Sequence, residues 1–379
     1  MTATSKDLAE VTALFARETL APRDDLHELT DFPADVWQAY RDAGLTGVGL
    51  PAHYGGRPAD WAEIARLGRI LVAIGGNLGV ATSWLGHVVM AKLHVLGLGS
   101  DAQKETLLPA LASGTKRIAM AISEPGAGAH PKHLKTTATR QDDGYALNGE
   151  KTYLTNGPVA DIFLTLAITG ESDGRKAYSA FLVPRDTAGL TLTPTIPVDF
   201  LRPAPHCGIR LEASPVAGAA LLGHEGQALA EVSQPMRTVE DAVMAGAKLG
   251  ALEFELRAAA AAADSRGRAD DEAVLAALGD MRARLAGMAA ILDAMMAHLD
   301  DSGSEDPELP VMVAAFRGAG HAYQEIFTEH CADWALDGNA KLAALARDII
   351  KSAGIAGAVH RIRQINLGRR MIAETEIHD

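Results

Sequence analysis

The chain has 379 residues, 48% of them hydrophobic and 22% charged, the balance of a globular protein of two or three domains. Its net charge of −13 argues against nucleic acid or an anionic membrane as the main partner, while leaving room for an anionic ligand in a local basic pocket. Cys207 and Cys331 stand alone, without CxxC or metal spacing, the N-terminus lacks the apolar core of a signal peptide, and no long apolar run is free of charge, so a cytoplasmic protein off the membrane is expected.

The first third reads as helices. Residues 5–19 place Leu8, Val11, Leu14 and Phe15 at helical spacing. A second helix runs from Pro33 through Val36, Trp37 and Tyr40 to Gly44, a third covers 59–74, and an apolar one covers 80–96. Residues 50–56 (LPAHYGG) form a loop, and a short helix over 101–111 starts at Ser100 or Asp101. From about Arg117 to Gly226 the pattern becomes alternating and β-branched, with Gly, Asp, Asn and Pro between the segments, which predicts a β domain. Helix returns at Ala228, followed by segments over 271–299, 311–336 and 341–372, with an exposed connection at 302–310. The implied domains are 1–117 helical, 118–226 β and 227–379 helical, an α+β chain.

The stretch AMAISEPGAGAHPKHLKTTATRQDDGYALNGEKTYLTNGPVADIFLTLA (119–167) resembles the flavin-binding region of acyl-CoA dehydrogenases, with its Ser/Thr-Glu-Pro, Ala-Gly-Ser-Asp and Asn-Gly-x-Lys-x-Trp-Ile-Thr-Asn-Gly patterns. LPAHYGG (50–56), the run from Gly99 to Glu124 and LLGHEGQAL (221–229) are further landmarks of that family. The resemblance implies an N-terminal helical domain, a middle β-barrel-like domain and a C-terminal four-helix bundle. It also implies bound FAD, an acyl-CoA substrate, an electron-transfer flavoprotein as electron acceptor, and a homo-oligomer or a hetero-oligomer with a related subunit. A flavin is planar with hydrogen-bonding edges, so it needs a ring to stack on and donors along the rim. By resemblance, Ser123 and Thr155 are the hydroxyls at the flavin edge, the backbone of Met120 and Ile122 meets the pyrimidine side, Tyr153 stands for the usual Trp, and Gly128 allows close main-chain approach.

The family reaction needs a carboxylate to remove an α-proton while a hydride passes to the flavin. Most members carry that Glu in a Tyr-Glu-Gly-Thr motif shortly after an Arg-Asp pair. Here Arg347–Asp348 is followed by Ile355–Ala356–Gly357–Ala358, so the usual position is Ala356. A minority place the base on the helix that opens the last domain, ten residues before a Gly, and Glu240 stands ten before Gly250. Met236, Val243, Met244 and Ala247 share its face, an apolar setting that would raise its pKa. A solvated Glu on a helix flank is the commoner state, and Asp241 points about 100° away.

Several positions depart from the family. The Ser that helps hold the thioester arm is Ala129 and the Asp after it is His130; a common Arg is Asp241, and Arg237, one turn earlier, either supplies the missing charge or is an ordinary solvated Arg, the commoner state. In the region of the cross-subunit Arg and Gln, either Arg266 or Arg268 substitutes as the pyrophosphate partner or both are ordinary surface residues. His130 and His133 lack a third ligand, so no metal is expected. The basic tail (Arg361, Arg363, Arg369, Arg370) reads as a solvated face or an anionic-ligand patch. Small residues at Ala242, Ala245, Gly246 and Ala247 either make room for a bulky acyl group or pack against another helix. The leading expectation is an acyl-CoA dehydrogenase with Glu240 as base; the rivals are a half-site subunit of a hetero-oligomer and a relative acting on a non-CoA substrate.

Overall fold

A computed structural model describes residues 7–354 and 357–376. Helices α1 (Leu8–Phe15), α2 (Ala34–Asp42), α3 (Trp61–Gly75), α4 (Leu78–Met90) and α5 (Asp101–Ala112) precede the sheet. The buried face of the first segment is Thr12, Phe15, Ala16 and Leu20, whereas Leu14 is exposed, so the apolar spacing located that helix but misassigned one member of its inner face. Ser100 is the N-cap of α5: its hydroxyl accepts from Gln103 N at 3.3 Å, and Gln103 Oε1 accepts from Ser100 N at 3.0 Å. This reciprocal cap satisfies two amides that the helix start leaves open.

The chain separates into two compact units. The first comprises the chain through Phe15, Asp25–Asp60 and Gly79–Glu240. It holds strands β1 (Ile118–Ala121), β2 (Thr137–Gln141), β3 (Gly144–Thr155), β4 (Ile162–Ser172), β5 (Arg175–Pro184), β6 (Leu190–Leu192), β7 (His206–Ala217) and β8 (Leu221–Leu222). They form an open sheet in the order β6-β7-β3-β2-β4-β5-β8, with β1 added on β4. Inward residues such as Ala121, Leu147, Phe163, Phe181 and Ile209 make its core.

One feature of this topology positions the site. β5 runs antiparallel along one edge of β4, from Ile162 to Ser172. β1 and β2 both lie parallel on the other edge, β1 at Ile118–Ala121 and β2 at Thr137↔Ile168. The chain therefore leaves the sheet after Ala121 and returns at Thr137 on the same edge of the same strand, and residues 122–136 form a loop with a narrow base.

The second unit takes Ala16–Asp24, Trp61–Leu78 and the chain from Asp241. It contains α3, most of α6 (Gln234–Ser265), α7 (Glu272–Ser302), α8 (Leu309–His330), the short α9 (Ala332–Ala335), α10 (Ala340–Gly354) and α11 (Gly357–Glu376). Asp271 caps α7, accepting from Ala273 N at 3.1 Å and Val274 N at 3.3 Å. The segment expected over 311–336 is broken at Cys331, whose φ of −123° leaves the helical region. The segment expected over 341–372 is α10 and α11; Ile355 and Ala356 between them lie outside the described residues, and so does the reading of Ala356 as a lost base.

Gly246 and Gly250 settle part of the small-residue pattern. A Cβ at Gly246 would lie 2.2 Å from Ala65 O, and one at Gly250 would lie 2.2 Å from Arg69 O. The backbones of α3 and α6 touch there. Ala242, Ala245 and Ala247 are buried as well. Gly246, from the group read as room for an acyl chain, is a helix-packing position.

Candidate functional site

The 122–136 loop is closed by one carboxylate. Glu124 is 6% exposed, and its two oxygens accept from Lys135 N at 2.7 Å and Thr136 N at 2.9 Å. The Lys151 ammonium, from β3, donates to Glu124 Oε1 at 2.9 Å and to Ile122 O at 3.1 Å. Lys151 is fully buried. Burial alone would raise the Glu124 pKa, but the Lys151 charge and the bonds from Thr136 outweigh it and hold the carboxyl below its usual range. Within the loop, Glu124 N donates to Gly128 O at 2.9 Å and Gly128 N donates to Glu124 O at 3.0 Å. In the sequence Glu124 and Lys151 are only letters of the motif; Lys151 stands among Asn148, Glu150 and Thr152 on β3, so nothing local marks it as the buried partner that closes the loop.

Tyr153 and Thr155 sit on β3 opposite that loop. Thr152 N donates to Ser123 O at 2.8 Å, which ties the end of β1 to β3. Between Lys151↔Ile209 and Leu154↔Cys207 the β3–β7 register gains one residue on β3. Simple alternation would put Tyr153 on the inner face with Lys151. The bulge reverses this, so Leu154 is buried and Tyr153 is 63% exposed with φ of 56°. A bulky residue in the left-handed region is uncommon, and such strain clusters at functional positions. Thr155 Oγ1 is 3.1 Å from His206 Nε2, a partner not foreseen from the sequence. Burial pushes the His206 pKa down.

Met120, Ile122 and Ser123 are half-buried at and just beyond the end of β1. Gly128, with φ of 55°, is exposed, and a Cβ there would meet nothing within 4 Å. Hydroxyls at Ser123 and Thr155, open backbone at Gly128 and a projecting aromatic ring at Tyr153 fit the needs of a flavin: a flat surface, rim donors and close main-chain approach. Ala129 is half-buried beside Gly128.

Glu240, on α6, is exposed. Met236, Val243 and Ala247 on its flank are buried, so the apolar stripe is present on the helix, but Glu240 itself is not buried within it. Arg237 is half-buried one turn earlier. Asp241 pairs with Arg363 of the basic tail at 2.6 Å, so its charge is met from α11. Arg266 pairs with Asp337 and Arg268 with Asp271, each at 3.1 Å, and both line a recess with Trp334. A cavity of about 740 Å³ in the second unit is lined by Leu252, Met288, Phe316 and Ile349 together with Lys248 and Arg317, and it contains none of the expected site residues.

Two family models match the chain: acyl-CoA dehydrogenase N-terminal domain over residues 2–115 and acyl-CoA dehydrogenase middle domain over 119–214. The chain belongs to the acyl-CoA dehydrogenase family. An acyl-CoA dehydrogenase of Bacillus subtilis (strain 168) is 38% identical over 183 residues, 47% of either chain. An L-prolyl-[peptidyl-carrier protein] dehydrogenase of Pseudomonas fluorescens is 32% identical over 296 residues, 74% of this chain and 75% of that one. Over the Bacillus subtilis relative, the family member's aligned part is thus about half its length. Among solved structures, butyryl-CoA dehydrogenase from Megasphaera elsdenii superposes with a TM-score of 0.85 at 23% identity, covering 98% of this chain and all (100%) of that one. The prolyl acyl carrier protein oxidase AnaB superposes with a TM-score of 0.84 at 26% identity, covering 96% and 97%. These likenesses account for helices before and after a middle sheet. Among the described residues, no helix is long and apolar enough to cross a membrane.

Proposed function

We propose that the protein is a FAD-dependent dehydrogenase that removes the α- and β-hydrogens of an acyl thioester, acyl-CoA in the first instance, to give the 2-enoyl product. The observation that carries this reading is Tyr153, held exposed in a left-handed conformation beside the Ser123 loop within the family's flavin motif. In this proposal the ring of Tyr153 supports the flavin face, Ser123 and Thr155 present hydroxyls to its rim, and Met120, Ile122 and Gly128 contribute main chain. Bound flavin would supply the two-electron acceptor for the β-hydride. Glu240 takes the α-proton, and the closed complex supplies the desolvation that the exposed carboxylate lacks. Ala129 and Arg237 border the thioester arm. An electron-transfer flavoprotein takes the electrons onward. An oligomer is part of the proposal: Ile362, Ile365 and Met371 on α11 are 57%, 43% and 62% exposed, more apolar surface than a solvated helix offers.

A second reading, oxidation of an aminoacyl group on a carrier protein, is favoured by the match to the L-prolyl-carrier dehydrogenase, which runs over three quarters of both chains (74% and 75%). The departures at Ala129 and Asp241 from the CoA pattern agree with it. A visible spectrum of the purified chain, before and after anaerobic addition of acyl-CoA and of an acyl-carrier thioester, separates these readings. Bleaching by one or the other names the substrate class. A colourless protein would instead favour a half-site subunit that needs a partner.

A further inference from the structure

Residues 125–141 carry His130, Lys132, His133, Lys135 and Arg140 and no acid, in a chain whose net charge is −13. His130, Lys132, His133 and Lys135 are all exposed. Of the carboxylates that border this run in sequence, Glu124 is turned inward and bonded to Lys151, while Asp142 and Asp143 lie past the far end of β2, where Arg140 pairs with Glu225. Among the described residues, neither Lys132 nor Lys135 has an ion pair through its side chain.

This loop is also fixed. Its base is held by the Glu124 carboxylate through Lys135 N and Thr136 N. Its crest is held from β5: the Tyr178 hydroxyl donates to Pro131 O, and the Lys176 ammonium donates to Lys132 O at 3.1 Å and Leu134 O at 2.8 Å. His133 N closes a tight turn onto His130 O at 2.9 Å. An ordinary solvated run of charge has no need of such anchorage. Here carbonyls bind inward, and the cationic ends of Lys132 and Lys135 are left facing water a few residues beyond Gly128 and Ala129. A fixed cluster of one sign attracts a compact anion without a large ordering cost.

We infer that the 130–135 turn is a preorganised cationic platform for the phosphate of the pantetheine arm that carries the acyl group. The inference rests on the thioester reading above and deepens it. The same phosphate occurs in CoA and in the prosthetic arm of a carrier protein.

The test is the Lys132→Glu/Lys135→Glu double variant, assayed at low salt with three thioesters of one acyl group: acyl-CoA, acyl-carrier protein and acyl-pantetheine, which has no phosphate. The expected result is a KM raised about tenfold for whichever phosphate-bearing thioester the wild type prefers, with kcat and the pantetheine thioester unchanged and the difference shrinking as salt is added. The preferred thioester identifies the source of the phosphate. Equal changes with and without the phosphate, or no change at all, would overturn the platform. A calorimetric titration with CoA and with pantetheine is run beside the assay. If the wild type turns over no thioester, the dehydrogenase reading fails by itself. The titration then judges the platform: CoA binding that the double variant loses supports it, and CoA binding that is absent or unaffected overturns it.

Discussion

Lys151 Nζ lies 2.9 Å from Glu124 Oε1, and both side chains are buried where the 122–136 loop leaves and rejoins the sheet. The pair has further partners, since Glu124 also accepts from two amides and Lys151 also donates to Ile122 O. Removing one partner leaves a buried charge alone, which typically costs about 3–5 kcal/mol. Lys151→Met is therefore expected to lower the thermal midpoint clearly. Glu124→Gln/Lys151→Met, which buries no net charge, is expected to recover part of that loss, and denaturation of the single and double variants measures the coupling.

Tyr153 stands at φ of 56°. For a residue with a Cβ that conformation costs about 1–2 kcal/mol, and glycine avoids most of it. Tyr153→Gly is expected to leave the fold as stable or slightly more so while weakening FAD at least tenfold, by about 1.4 kcal/mol or more. Tyr153→Phe keeps the ring and is expected to bind FAD nearly as the wild type does. Quenching of flavin fluorescence on titration gives the three dissociation constants.

Gly250 leaves no space for a methyl group, because Arg69 O would be 2.2 Å away. Gly250→Ala improves helix propensity by about 1 kcal/mol, yet it must push α3 off α6, and overpacking costs about 1–3 kcal/mol or more. A net destabilisation is expected by chemical denaturation. Gly279→Ala, where a Cβ would meet nothing within 4 Å, is the matched control and is expected to stabilise.

Glu255 is fully buried, accepts from Gln324 Nε2 at 2.7 Å, and has its pKa pushed up by burial to about 8. The folded state keeps this proton where the unfolded chain has released it. Stability from this group is therefore full below its unfolded value, near pH 4.5, and is lost as pH rises toward about 8. Glu255→Gln removes that slope. Thermal midpoints between pH 5 and pH 8 should fall less steeply in the variant than in the wild type, to within about the precision of parallel scans.

The order helix, sheet, helix was legible because the hydrophobic period changes near Arg117 and changes back near Ala228, and because a cap such as Ser100 announces itself in one or two residues. The flavin motif was legible as a pattern of letters. What those letters do was not, because it depends on contacts far apart in sequence: Lys151 meets Glu124, Thr155 meets His206, and β1 and β2 share one edge of β4. The exposure of Tyr153 depends on a one-residue bulge that alternation cannot reveal. Local spacing placed Glu240 next to an apolar stripe correctly but said nothing about how much water its carboxylate would keep.

In the proposed reaction Glu240 deprotonates a thioester beside a flavin held by the Ser123 loop. Rapid anaerobic mixing of FAD-loaded wild type and Glu240→Gln with the preferred thioester, followed by the visible flavin absorbance, tests it most directly. The expected result is prompt bleaching in the wild type and a rate lower by about 10²–10⁴-fold in the variant, with the starting spectrum unchanged. Bleaching of the variant at the wild-type rate would contradict the assignment of Glu240, and a wild type that holds FAD but bleaches with no thioester would contradict the proposed reaction.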